Sequence, residues 1–304
     1  MKKRQIGTSN LFVSPIGLGC MSLKPTSRES EYILDKAIDV GVNYFDTADL
    51  YDFGKNEELL GRVLATKRTD IIIATKVGNE WNTSKDSWSW NPTKHYIKAA
   101  VKKSLKRLQT DYLDLCQLHG GTIDDPIDET IEAFEELTKE GLIRYYGISS
   151  IRPNVIKTYV EKSNIVNVMI QYSLLDRRPE KEISPLLDSQ DISIITRGPL
   201  AKGLLTENLL QKLVKNDYLS YSNDDLQELL PRLKQWANDH HYQFHELALL
   251  YCLANKTVAA VVPGASSVKQ LQENLAVLQK PMLTEQQLSE LHSLTKCHNY
   301  TDHL

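Results

Sequence analysis

Apolar positions along this chain follow two alternating rhythms. Short apolar runs end in polar residues or glycine, and each is followed by a helix-length stretch whose apolar positions recur at helical spacing. The runs predict strands at 16–18, 44–45, 71–75, 113–118, 145–148, 168–170, 192–196 and 258–262. Between them, Ile97, Val101, Leu105 and Leu108 mark one helix face, and Ile131, Phe134 and Leu137 another. Val268, Leu271, Leu275 and Leu278 mark a face on what reads as the last full helix. Residues 3–13 alternate weakly around Gly7-Thr8-Ser9-Asn10 and predict a small hairpin ahead of the series. Thr26 or Ser27 can open the first helix, Pro92-Thr93 precedes the third, and Gly41 and Gly141 fall where helices stop.

Eight strands alternating with helices, without a linker or low-complexity segment, predict an α/β fold: one (β/α)8 TIM barrel over residues 1–304. An open doubly wound sheet is the other arrangement with this rhythm. It fits less well because Gly17-Leu18-Gly19-Cys20-Met21, after the first run, is no GxGxxG turn. Three connections are long: 77–90, 199–223 and the tail after 280. In a barrel such loops gather at the C-terminal rim, where ligands bind. The first carries Trp81, Trp88 and Trp90, which are expected to wall a substrate pocket, since three indoles are costly to leave in water.

Composition narrows the function classes. With 304 residues, 41% hydrophobic and 25% charged, the chain has an ordinary globular make-up. A net charge of −3 gives no reason to expect nucleic acid or an anionic membrane as partner. No apolar run approaches the ~20 residues of a membrane span, and polar residues interrupt the N-terminal stretch, so a cytoplasmic protein without a signal peptide is expected. Cys20, Cys116, Cys252 and Cys297 form no CxxC pair, and His240, His241 and His245 belong to no metal motif. The histidines read as the polar face of a surface helix, and no metal is expected.

The ionisable residues at strand ends carry the chemistry. Asp46 ends the second strand and Tyr51 follows it. Lys76 follows the third, and His119 the fourth. Successive strands lie ~4.8 Å apart, so the four side chains can converge at one rim. A free phenol is a poor acid at neutral pH, and a neighbouring cation favours its ionised form. Lys76 can be that cation, with Asp46 orienting it and His119 polarising a carbonyl. Such a site protonates an oxyanion as it forms. It contains no nucleophile with a matched base, which argues against acyl transfer. Taken singly, each residue is as well explained as a cap, a surface aromatic or a solvated charge; their joint placement favours the functional reading.

The sequence resembles the aldo-keto reductases. The resemblance spans nearly the whole chain and rests on GVNYFDTADLYDFGKNEELLG (41–61), IIIATKVG (71–78), DYLDLCQLHG (111–120), GLIRYYGISS (141–150), QYSLLDRRPE (171–180), RGPLAKGLL (197–205) and VVPGASSVKQLQENL (261–275). Its glycines and PGA motif are most similar to the bacterial general-stress and ion-channel β-subunit-like branches. The resemblance implies NAD(P)H-dependent reduction of an aldehyde or ketone to an alcohol, with Asp46, Tyr51, Lys76 and His119 as catalytic tetrad and Tyr51 as general acid. For the cofactor it implies Gly19, Met21, Ser149, Gln171, the run Arg197, Gly198, Pro199, Leu200, Lys202 and Gly203, and Gly264, Ala265, Ser266, Gln270, Glu273 and Asn274. Arg197 stands where many members stack a tyrosine on the nicotinamide, and a guanidinium can also lie flat on a ring. Met169 takes the place of a common glutamine, and Ser150 that of an asparagine. The lysine and arginine that many NADPH-specific members carry are replaced by Gly264 and Gln270, leaving Lys202 and Lys269 as nearby cations. NADPH is the expected cofactor, with NADH or dual use as the alternative. Two other functions share the barrel: a nucleotide-binding redox-sensing subunit with slow turnover, and a lyase using Lys76 as a Schiff-base amine. Asp46 argues against the second, because it would keep the lysine charged.

Overall fold

The structure is a computed structural model that describes residues 1–207 and 217–301. β1 (Arg4–Gln5) and β2 (Phe12–Val13) form the expected antiparallel hairpin, with Gly7 in the left-handed region at its turn. Eight parallel strands follow: β3 (Leu18–Gly19), β4 (Tyr44–Asp46), β5 (Ile72–Val77), β8 (Leu113–Leu118), β9 (Ile143–Ser149), β10 (Asn167–Gln171), β11 (Ser193–Arg197) and β12 (Val258–Val261), adjacent in that order. Bridges Ile16↔Val261 and Gly19↔Gly264 join the last strand to the first and close the barrel. Gly17 N–H donates to Val261 O, and Gly19 N–H to Pro263 O. Each predicted strand is present, with ends moved by a residue or two. The hydrophobic run marks where a strand is buried, whereas pairing extends until the ladder stops.

Side-chain alternation divides the core. Ile73 and Val77 of β5 point outward and pack with helix residues such as Ile97, Val101 and Leu105, whereas Ile72 and Ala74 point inward. The inner cluster comprises Tyr44, Leu115, Met169, Ile195 and Ala260, closed off by Ile6, Leu11 and Val13 from the hairpin. The hairpin is therefore the floor of the barrel. Thr93 caps the helix Lys94–Leu108 by accepting from Tyr96 N–H, and Ser27 is the N-cap of Arg28–Asp39. Gly41 and Gly141 end their helices at φ 91° and 74°.

The long connections depart from expectation. Within 77–90 the chain forms a second hairpin, β6 (Asn79–Trp81) with β7 (Trp88–Trp90). The segment after 280 is not a plain tail: it carries the helix Glu285–Leu294, opened by a reciprocal Thr284/Gln287 capping box, so the helix at 268 is not the last. Of the 199–223 connection, residues 208–216 lie outside the described residues. His240 and His241 sit in the turn between the helices Asn223–Asp239 and Phe244–Ala254, not on one helix face. Among the described residues no helix is long and apolar enough to cross a membrane, and no group of side chains could hold a metal ion.

Candidate active site

Alternation on β4 and β5 aims Asp46 and Lys76 into the barrel above the apolar residues Tyr44, Ile72 and Ala74. Thr47 N–H donates to Ala74 O and Asp49 N–H to Lys76 O, which carries the chain across the end of β5 and sets Tyr51 over Lys76. Lys76 is 1% exposed. Its ammonium donates to Asp46 Oδ1 at 2.6 Å, to Thr47 O at 2.7 Å and to Tyr51 Oη at 3.4 Å. All three ammonium protons thus have acceptors. His119 N–H donates to Val77 O, and its ring meets that of Tyr51 edge-on at 5.9 Å. The four residues expected to converge do so.

The electrostatics follow from burial and pairing. Burial works against the Lys76 ammonium, but Asp46 and Tyr51 outweigh it and hold the lysine above its ordinary value. Burial raises the Asp46 carboxyl against the pull of Lys76 and Arg197. His119 is pushed down to about 3 by burial, reinforced by Lys76 and Arg197, so its imidazole is neutral at working pH. His119 Nδ1 and Asp46 Oδ2 are buried without a partner. Burial also lowers Arg197, whose guanidinium donates to Gln171 Oε1 at 3.3 Å; Gln171 in turn donates to Asp176.

A cavity of about 750 Å³ opens above this group. The tetrad, Gly19, Met21, Ser149, Gln171, Arg197, Gly198, Pro199, Leu200, Lys202, Gly203 and Gly264 all line it. So do Met169 and Ser150, and also Ser22, Leu50, Ile151, Arg152 and Tyr218, which the sequence alone did not single out. Position after a strand end was the available signal for Ile151 and Arg152. Tyr218 comes from the long 199–223 connection, and nothing local marks it. A groove of similar volume beside the N-terminal residues combines leucine, methionine and valine with Lys2, Lys3, Arg4 and Lys280, and no carboxylate, phenol or imidazole lines it.

The remaining expected residues stand outside the cavity wall. Ala265 is fully buried, and Asn274 donates to Gly264 O at 3.2 Å, supporting the loop. Ser266 N–H and Oγ–H both donate to Gln270 Oε1, so the Gln270 side chain folds over the start of the helix Val268–Ala276. Glu273 lies 3.7 Å from Lys269 on its outer surface. None of the three tryptophans lines the cavity. Trp88 is exposed, and Trp81 stacks under Arg107. Trp90 donates to Asp125 at 2.9 Å and backs Gly78 and Gly120. Pairing of β6 with β7 sets Trp81 against Arg107 and Trp90 against Gly78, Gly120 and Asp125, outside the cavity wall.

Dinucleotide-sized space with glycine at its edges is what this geometry offers. A Cβ at Gly19 would lie 2.9 Å from Val262 O, and one at Gly264 2.9 Å from Ser22 Oγ. A closed parallel barrel with a buried Lys–Asp pair, a phenol and a neutral imidazole at its C-terminal rim is the arrangement that the resemblance to a family of barrel oxidoreductases implies. Comparison with known proteins bears this out. Residues 15–296 match the model of the aldo/keto reductase family, and the chain belongs to that family of oxidoreductases. It is 54% identical, over 100% of its length and 99% of the relative's, to the uncharacterized oxidoreductase YqkF of Bacillus subtilis. Aldo-keto reductase AKR11C1 from Bacillus halodurans superposes in its holo form with a TM-score of 0.94 at 53% identity, covering 100% of this chain and 99% of that one. Its apo form gives 0.85 at 48%, with the same coverage. A probable voltage-gated potassium channel subunit beta of Arabidopsis thaliana is 30% identical over 93% of each chain, in line with the expected branch.

Proposed function

We propose that this chain reduces an aldehyde or ketone to the alcohol, with Tyr51 as general acid and NADPH as cofactor. The observation that carries the reading is the contact of Lys76 Nζ with both Asp46 and Tyr51 beside a neutral His119. The cavity suits a dinucleotide: Gly19 and Gly264 let the ends of β3 and β12 pack closely at its edge, Arg197 offers a flat guanidinium at the β11 end, and Ser149 borders the same space. When bound, the reduced nicotinamide supplies hydride; the protein supplies placement and a proton.

A carbonyl oxygen placed between Tyr51 Oη and His119 receives the phenolic proton as negative charge develops on it. The Lys76 ammonium stabilises the phenolate left behind, and Asp46 holds the ammonium in place. Being neutral, His119 can share a hydrogen bond with that oxygen without carrying charge into the site. A Schiff-base role for Lys76 is disfavoured, because its amine is charged and fully engaged by three oxygens. Lys202 at the cavity edge is the cation we assign to the 2′-phosphate. Four thiols without a disulfide suit a reducing compartment, and we place the protein in the cytoplasm.

Tyr51→Phe tests the reading. It is expected to abolish turnover of a carbonyl panel while leaving nucleotide affinity, followed by tryptophan quenching, within about threefold. Retention of most turnover would overturn the acid assignment. Titration of the wild type with NADPH and NADH is expected to favour NADPH, and equal or reversed affinity would overturn that choice.

A further inference from the structure

The residues after Tyr51 are held in an unfavourable backbone. Asp52, Phe53 and Gly54 stand in succession in the left-handed region, at φ 47°, 52° and 85°. Two of the three carry a Cβ, and a bulky aromatic is a costly occupant of that region. Such a conformation persists only where its surroundings over-determine it.

Those surroundings form one connected set. The Phe53 ring meets Trp81 edge-on at 6.1 Å. The Arg107 guanidinium lies over the Trp81 ring at 5.3 Å, and its side chain covers Gly54 closely enough that a Cβ there would sit 2.7 Å from Arg107 Cδ. Arg107 Nε donates to Glu57 Oε2 at 2.6 Å, and its terminal nitrogen donates to Ser104 Oγ at 3.0 Å. Glu57, fully buried, accepts from Thr75 Oγ1 at 2.6 Å through its other oxygen. Thr75 is the residue before Lys76. The path from the phenol through Phe53, Trp81, Arg107, Glu57 and Thr75 therefore returns to the ammonium that the phenol contacts.

We infer that the Trp81–Arg107–Glu57 set is a positioning device that holds the strained Tyr51 turn and sets the distance from its phenol to Lys76. None of the three lines the cavity, so each acts through Tyr51 and none touches a reactant. This gives Trp81, which does not wall the pocket, a role in the same reaction. The inference rests on Tyr51 being the general acid.

The test compares Trp81→Ala, Trp81→Phe and Arg107→Met with the wild type and with Tyr51→Phe. Trp81→Ala and Arg107→Met are expected to lower kcat by about tenfold or more, since small misplacements of reacting groups carry large rate costs. KM and nucleotide affinity should stay within about twofold. Trp81→Phe keeps an aromatic face and should restore most of the loss. The positioning role is overturned if both truncations leave kcat unmoved while Tyr51→Phe is inactive. It is equally overturned if the loss only tracks the folded fraction in thermal melts, or if Trp81→Phe fails as badly as Trp81→Ala. An active Tyr51→Phe would instead remove the reading beneath it.

Discussion

His119 illustrates how far a single residue can be read. Its position after a strand end was visible in the sequence, and so were those of Asp46, Tyr51 and Lys76, because each follows an apolar run. Its charge state was not, because that depends first on burial in the folded barrel and then on Lys76 and Arg197 arriving from other strands. The same neighbours give a stability prediction. An unfolded histidine takes up a proton near 6.5 but the folded one only near 3. Between those values the unfolded chain binds more protons, so the His119 contribution to stability is present above 6.5 and is lost as pH falls towards 3. His119→Gln removes it. Melting temperatures measured across that window should fall less steeply for the variant than for the wild type, and parallel curves would show that the imidazole is not buried neutral. The tryptophans mark the limit of residue-level reading. Their cost in water suggested a pocket wall, but Trp81 lies against Phe53 and Arg107, Trp90 against Gly78, Gly120 and Asp125, and Trp88 stays exposed, which residue type does not reveal.

Among elements, strands were more legible than their partners. A strand buried on both faces shows as an apolar run, and most were recognisable as such, although Asp114 and Gln117 interrupt β8 and Arg144 interrupts β9. The hairpin β6–β7 was hidden because its residues, NEW and WSW, neither alternate cleanly nor form a run. The helix Glu285–Leu294 was hidden by its polarity, although Leu288, Leu291 and Leu294 and the Thr284 cap were available signals. Helix pairing was the least legible. Gly61, in the helix Lys55–Leu64, faces the end of Lys94–Leu108, where an added Cβ would overlap the Arg107 carbonyl oxygen and lie 2.9 Å from Leu108 C. The obstacle is backbone, which cannot turn aside as a side chain can. Gly61→Ala should therefore lower unfolding stability in urea by about 2 kcal/mol, despite the better helix propensity of alanine. An unchanged or raised midpoint would show that the two helices can move apart at no cost.

For the molecule as a whole, the rhythm of the sequence indicated a closed barrel, but how it closes depends on contacts between its two ends. Val261 N–H donates to Pro15 O, and Arg4 donates to Val258 O and to Leu253 O. Leu11, 3% exposed, belongs with the inner barrel residues and not with a surface hairpin. Leu11→Ala should cost about 3 kcal/mol, as a truncation in a packed core does. A loss below about 1 kcal/mol would mean that the hairpin is an appendage and not a floor.

The bridges between β3 and β12 also bear on how the protein is made. During synthesis the first strand leaves the ribosome long before Val258–Val261, and until then its open side has no neighbour. The hairpin floor is in the same position, since Arg4 has no acceptors until residues 253 and 258 have emerged. The barrel can therefore be completed only after Val258–Val261 has been made, and until then the nascent chain must carry an unpaired sheet edge.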